Sequence, residues 1–161
     1  MKDTDVEMLV ARIRQVAYDL HVYLGTGLLE KVYENGLVHR LQKEGLHVEA
    51  QKPLSVYDSD GFCLGEYFAD LFVEDLIIVE LKSVRSIANE HYAQILNYLK
   101  ITGATAGLLI NFGSYKFEVR TVIPRSLLSR VAISRRVCGR RWNAAKVAAL
   151  HKGRRLSVLA E

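Results

Sequence analysis

The chain has two cysteines, two prolines and one tryptophan in 161 residues. Cys63 and Cys138 lie far apart, with no second Cys or His at ligand spacing. That excludes a zinc site and a disulfide framework and fits a reducing compartment. No stretch approaches the ~18 uninterrupted apolar residues of a membrane span. The opening "MKDTDVEMLVARIRQ" is charged and helical rather than signal-like, so a cytoplasmic protein away from membranes is expected. The five histidines are scattered without an H-x-x-x-H pair, which argues against a His-based metal or nucleophile site. Phosphate loops, dinucleotide fingerprints and nucleophile motifs are also missing, as are internal repeats and low-complexity segments.

Half of the residues are hydrophobic, enough for one domain with a sizeable core plus an appendage. The net charge of +4 hides an asymmetry. Residues 1–123 hold 12 Lys/Arg against 17 Asp/Glu, whereas residues 124–161 hold 10 against a single Glu. The basic character therefore belongs to the tail, read here as a weakly structured basic extension. Clustered Arg beside Trp142 is only a loose signal for phosphate attraction.

Thr4 with Glu7 three positions on is a capping-box pattern, and Leu9, Ile13, Val16 and Leu20 repeat at helical spacing. A first helix ending near Gly25 follows. "GLLEKVYENGLVHRLQKEG" reads as a second, with Leu29, Val32, Leu37 and Leu41 toward the core and Gly45 just past its end. The period then changes to two in "HVEAQKPLSVYD", "FCLGEYFADLFVE" and "LIIVELKSV", separated by the turn signals "DSDG" and "ED". Pro53 makes the first an edge strand or marks a bulge. "NEHYAQILNYLKITG" returns to helical spacing, and "AGLLINFG" and "YKFEVRTVI" complete an ααβββαββ order. This predicts an α/β fold, a mixed sheet of about five strands flanked by helices.

The apolar run "DLIIVELKSV" carries Glu80 and Lys82 two residues apart. If it pairs with "YFADLFVE" in a hairpin centred on Asp75, Asp70 lies opposite Glu80, with Lys82 further along the same face. Facing carboxylates repel, and a divalent cation between them reverses the sign. Lys82 can then contact a phosphate oxygen or position an attacking water. The same spacing also fits a salt-bridged pair on a solvated strand end.

"GLLEKVY" resembles the G-x-x-E-x-x-Y signature of the GxxExxY protein family, a branch of the PD-(D/E)XK nuclease superfamily. "GEYFADLFVEDLIIVELKSV", "HYAQILNYLKITG" and "GLLINFG" follow in that family's order, so the similarity covers roughly residues 6 to 123. It implies a restriction-endonuclease-like core in a nuclease-like domain spanning 1–123, with 124–161 outside it. By the same resemblance Asp70, Glu80 and Lys82 are the motif residues, Glu30 is a third acid reaching a Mg²⁺ or Mn²⁺ site, and Gln94 is an auxiliary catalytic residue. Tyr33 and Tyr98 would line the site. Two positions depart from the pattern: Phe68 stands where a polar residue is common, and Ala69 where the superfamily has proline. Gln94 shares a helix face with His91 and Tyr98, and for the latter two packing against the sheet is the simpler role.

The expected function is metal-dependent hydrolysis of phosphodiester bonds in DNA or RNA by Asp70, Glu80, Lys82 and Gln94. The alternative is a nuclease-like module that binds or regulates without cleaving. A domain this small that must hold a long nucleic acid is expected to act as a homodimer or with a protein partner.

Overall fold

A computed structural model describes residues 3–124 and the two-residue strand Val158–Leu159. Helix α1 (Asp3–Leu24) takes Thr4 into its first turn and buries Ile13, Val16 and Leu20 of the expected stripe together with Ala17, while Leu9 is partly buried. Helix α2 (Glu30–Lys43) starts later than its sequence suggested, with Leu29 extended at the N-cap. Its buried face is Tyr33, Leu37 and Leu41, a four-residue spacing that leaves Leu29 and Val32 exposed. The expectation that those two point to the core is corrected by this phase. At the far end Gly45 N–H bonds to Gln42 C=O and Leu46 N–H to Leu41 C=O, with Gly45 at φ +80°. This is a Schellman stop, which a residue with a Cβ enters only with strain.

The sheet runs in order β1 (Val48–Tyr57), β2 (Cys63–Val73), β3 (Ile77–Lys82), β4 (Ala106–Asn111), β5 (Glu118–Val122) and β6 (Val158–Leu159). Helix α3 (Asn89–Thr102) carries the chain from β3 to β4, the parallel pair, while the other neighbours are antiparallel. The ααβββαββ order stands, with β6 added. Strand β1 is an edge, and there the missing N–H of Pro53 is tolerated.

Side-chain alternation gives the sheet two cores. Leu71, Val73, Ile77, Val79, Leu81, Leu108 and Ile110 pack with α1 and α2, while Phe72, Ile78 and Leu109 pack with Ile95, Tyr98 and Leu99 of α3. Strands β3 and β4, covered on both faces, are almost continuously apolar. Within that covered strand Glu80 is 2% exposed.

The expected domain boundary falls just after β5. Of the basic tail, β6 is described, with Val158 opposite Val122 and Leu159 opposite Thr121. Cys138, Trp142 and most of the arginines lie outside the described residues. Among the described residues no helix is long and apolar enough to cross a membrane.

Candidate active site

The hairpin between β2 and β3 pairs Leu71 with Val79, Phe72 with Ile78 and Val73 with Ile77. Its turn is closed by Leu76 N–H to Val73 C=O, with Glu74 and Asp75 at positive φ. This is the register inferred from alternation, and its next step would set Asp70 across from Glu80. The pairing stops there, however, and the strands part. The Asp70 carboxylate reaches over the opening, where Oδ2 accepts the Leu81 N–H at 2.8 Å.

Lys82 Nζ donates to Glu80 Oε1 at 2.5 Å. From the other layer, Glu30 on the first turn of α2 accepts the Ser83 N–H through Oε2 at 3.1 Å, and Ser83 Oγ donates to Leu28 C=O at 3.1 Å. These two bonds fix the N-terminus of α2 against the end of β3. On its other side the end of β3 is tied to β4 by Phe112 N–H to Lys82 C=O at 2.7 Å. Val84 N–H also donates to the buried Asn111 Oδ1 at 3.1 Å.

The electrostatics follow from burial and crowding. Desolvation, then the neighbouring Asp70 charge, push the Glu80 carboxyl up to about 7, with Glu30 adding to the rise and Lys82 opposing it. Asp70 is also raised, by burial first; the Leu81 N–H and Lys82 oppose the rise and Glu34 adds to it. Burial raises Glu30, with Lys82 pulling down and Asp70 pushing up. For Lys82 burial alone would lower the ammonium, but its bond to Glu80 and the surrounding carboxylates outweigh it and hold the group above its ordinary range. Lys82 is therefore a fixed cation at neutral pH.

The second oxygen of Glu80, Oε2, is buried without a hydrogen-bond partner. A carboxylate oxygen hidden from water normally has a donor. The carboxyl that carries this one also feels the charges of Asp70 and Glu30, a crowding that a divalent cation would relieve. Glu30, Asp70 and Glu80 thus fit a cation as ligands, although they stand as a loose set. Among the described residues the tight three-ligand group, with atoms within 4.8 Å of one another, is His47, Glu49 and Asp75. It lies at the turn end of the same hairpin, largely exposed, and Glu49 is already paired with Lys52.

Gln94 donates to the Tyr98 hydroxyl at 2.8 Å. That hydroxyl is raised mainly by burial, and also by the charges of Glu80 and Asp70, which places Tyr98 and Gln94 on the α3 flank of the carboxylates. Tyr33 is elsewhere. Its ring is fully buried and stacked on Phe112 at 4.5 Å, and its hydroxyl donates to Gly25 C=O at 2.9 Å while accepting the Leu28 N–H. Tyr33 shapes the loop that delivers Glu30 and does not face the site, because its place on α2 points it into the core.

Two residues were not anticipated. Glu34, one turn after Glu30 and 4% exposed, pairs with Lys31 and accepts from Gln51 Nε2 at 2.7 Å. The same amide reaches Asp70 Oδ1 at 3.4 Å. Gln51 sits at φ +51° in mid-strand, between the pairs Ala50–Leu71 and Lys52–Ala69, a backbone deviation that aims its side chain at Asp70. The sequence signal available was a Glu at i+4 from Glu30 on the helix face that also carries Tyr33 and Leu37.

A mixed α/β sheet whose strands part around two carboxylates, with a lysine two residues beyond the second, defines a nuclease-like class of fold. The PD-(D/E)XK nuclease superfamily model matches residues 7–122, and the chain belongs to that superfamily. No curated protein matches it. Among solved structures, "Crystal structure of SSO0001" is similar with a TM-score of 0.48 and 20% identity over 69% of this chain. The chain spans 59% of that protein's length.

Proposed function

We propose that this protein is a metal-dependent nuclease of the GxxExxY branch, hydrolysing phosphodiester bonds in nucleic acid. The observation that carries the reading is the buried, unpartnered Glu80 oxygen beside Asp70. Superfamily membership supports it, since proteins of this class typically use divalent metals, and the motif residues Gly27, Glu30 and Tyr33 support the branch. Asp70 and Glu80 hold Mg²⁺ or Mn²⁺, with Glu30 as the third acid. When bound, the ion supplies charge neutralisation at the scissile phosphate and makes water a better nucleophile at neutral pH. Lys82, a permanent cation, stabilises the charge that builds on the phosphate oxygens and helps orient the attacking water. Gln51 and the Leu81 N–H hold Asp70 in place, and Gln94 steadies Tyr98 at the rim.

The test is cleavage of labelled single- and double-stranded DNA and RNA with Mg²⁺ or Mn²⁺, beside Lys82→Ala, Asp70→Ala and an EDTA control. Cleavage that is lost in both variants and with EDTA is the expected result. A wild type that binds Mn²⁺ by calorimetry yet cuts nothing points instead to a non-cleaving binding module. Absence of metal binding removes the site assignment altogether.

A further inference from the structure

Nucleic-acid sites usually grip the backbone with free cations. Here the lysines near the carboxylates are already engaged: Lys82 with Glu80, Lys31 with Glu34 and Lys52 with Glu49. Residues 1–123 also carry more acid than base. Beside the site the exposed Arg85, just past β3, is joined by a surface that is largely aromatic and aliphatic.

Beyond the Leu71–Val79 pair, strand β2 loses its β3 neighbour and continues with β1 as a two-stranded ribbon. Along this ribbon Tyr67 meets the Tyr98 ring, with centroids 6.1 Å apart, and Ala69 packs into the α3-side core. Alternation with Tyr67 and Ala69 turns Phe68 away from α3, and the alternation breaks at Asp70, since Ala69 packs in the α3-side core and Leu71 in the other. Phe68 is 51% exposed and stands roughly 7 Å along the strand from Asp70, about the reach between a phosphate and a neighbouring base. Leu29 and Val32 of α2, on the helix that brings Glu30, are also exposed.

An exposed aromatic one step from a phosphate-cleaving carboxylate matches the stacking platforms of single-strand binders, where every unpaired base offers a π-face. In a duplex those faces are hidden in the stack. We propose that Phe68 is a base-stacking residue that makes unpaired nucleic acid, rather than duplex, the substrate class of this site. The proposal rests on the phosphodiesterase reading above, and it assigns selectivity to stacking rather than to charge.

The test is fluorescence anisotropy of the full chain with short single-stranded and duplex DNA and RNA of matched sequence. It is done in Mg²⁺ on a Lys82→Ala background, so that binding is read apart from cleavage. Unpaired strands are expected to bind tighter than duplex. Adding Phe68→Ala should weaken unpaired-strand binding by about tenfold, the scale of one stacked base, and leave duplex binding unchanged, while Phe68→Trp restores it. Because Phe68 is half-exposed, matching thermal midpoints are expected for all three proteins. Equal affinity for unpaired and duplex strands, no binding of unpaired strands, or an effect of Phe68→Ala equal on both forms overturns the proposal. Phe68-dependent binding without cleavage by the wild type removes the nuclease reading and keeps this one; cleavage with selectivity indifferent to Phe68 does the reverse.

Discussion

Glu80 is the residue on which the site's energetics turn. Its carboxyl ionises at about 7 in the folded chain against an ordinary 4.5, so the unfolded state releases that proton first. In the metal-free protein the resulting stability is present below pH 4.5 and is lost as pH rises to about 7, by at most about 3 kcal/mol. Glu80→Gln should flatten much of this loss and make the metal-free protein more stable than wild type above neutral pH. Urea midpoints taken against pH in EDTA check it, and a variant with the wild-type slope would contradict it. In Mg²⁺ the ranking should reverse, because only the wild type gains the cation. Gln51 makes a second residue-scale case. Gln51→Ala leaves the buried Glu34 with Lys31 alone and Asp70 Oδ1 without its amide, so stability should fall by about 1–3 kcal/mol. Turnover should fall with it while the substrate KM stays near wild type, since Phe68 and Lys82 are untouched.

At the scale of elements, the end of β3 is placed by its fit against β4. A Cβ on Gly113 would stand 2.3 Å from the Val84 N and 2.5 Å from the Val84 O, backbone atoms that cannot swing aside. Gly113 N–H and Val84 N–H both donate to Asn111 Oδ1, so forcing the segments apart disturbs both bonds next to Lys82. Gly113→Ala should therefore destabilise the fold by at least the ~1–3 kcal/mol of an overpacked core and weaken Mn²⁺ binding, read by urea unfolding and calorimetry. A variant with wild-type values in both would show that the two segments tolerate a side chain at this approach. Much at this scale was legible in the sequence. The period-two runs give the strands, "ED" gives the turn, and the two together give the hairpin register as far as Leu71 and Val79, where the strands part before Asp70 and Glu80. What the periodicity missed is tertiary. The true start of α2 depends on Tyr33 bridging Gly25 and Leu28, and the Glu34–Gln51–Asp70 chain depends on a local backbone deviation in β1. No spacing rule encodes either, and without them the resemblance alone assigns Tyr33 to the site lining, whereas its ring is buried on Phe112.

For the whole molecule, the charges lie on different parts of the chain, with acid concentrated in the domain and base in residues 124–161. Within the domain three carboxylates are raised by burial, Glu30 and Glu80 also by the Asp70 charge and Asp70 by Glu34, so the metal-free fold contains a local repulsion that folding does not relieve. An ion that binds the folded state alone adds RT ln(1 + [L]/Kd) to stability, about 2.7 kcal/mol at a hundredfold excess over Kd. Mn²⁺ should accordingly raise the thermal midpoint of the full chain in a concentration-dependent way, and EDTA should return it. Asp70→Ala should lose most of that rise, whereas His47→Ala should keep it, because the exposed His47, Glu49 and Asp75 group has no buried oxygen waiting for a cation. If His47→Ala abolishes the shift and Asp70→Ala leaves it intact, the ion belongs at the hairpin turn. The carboxylates where the strands part would then be a structural strain without a ligand.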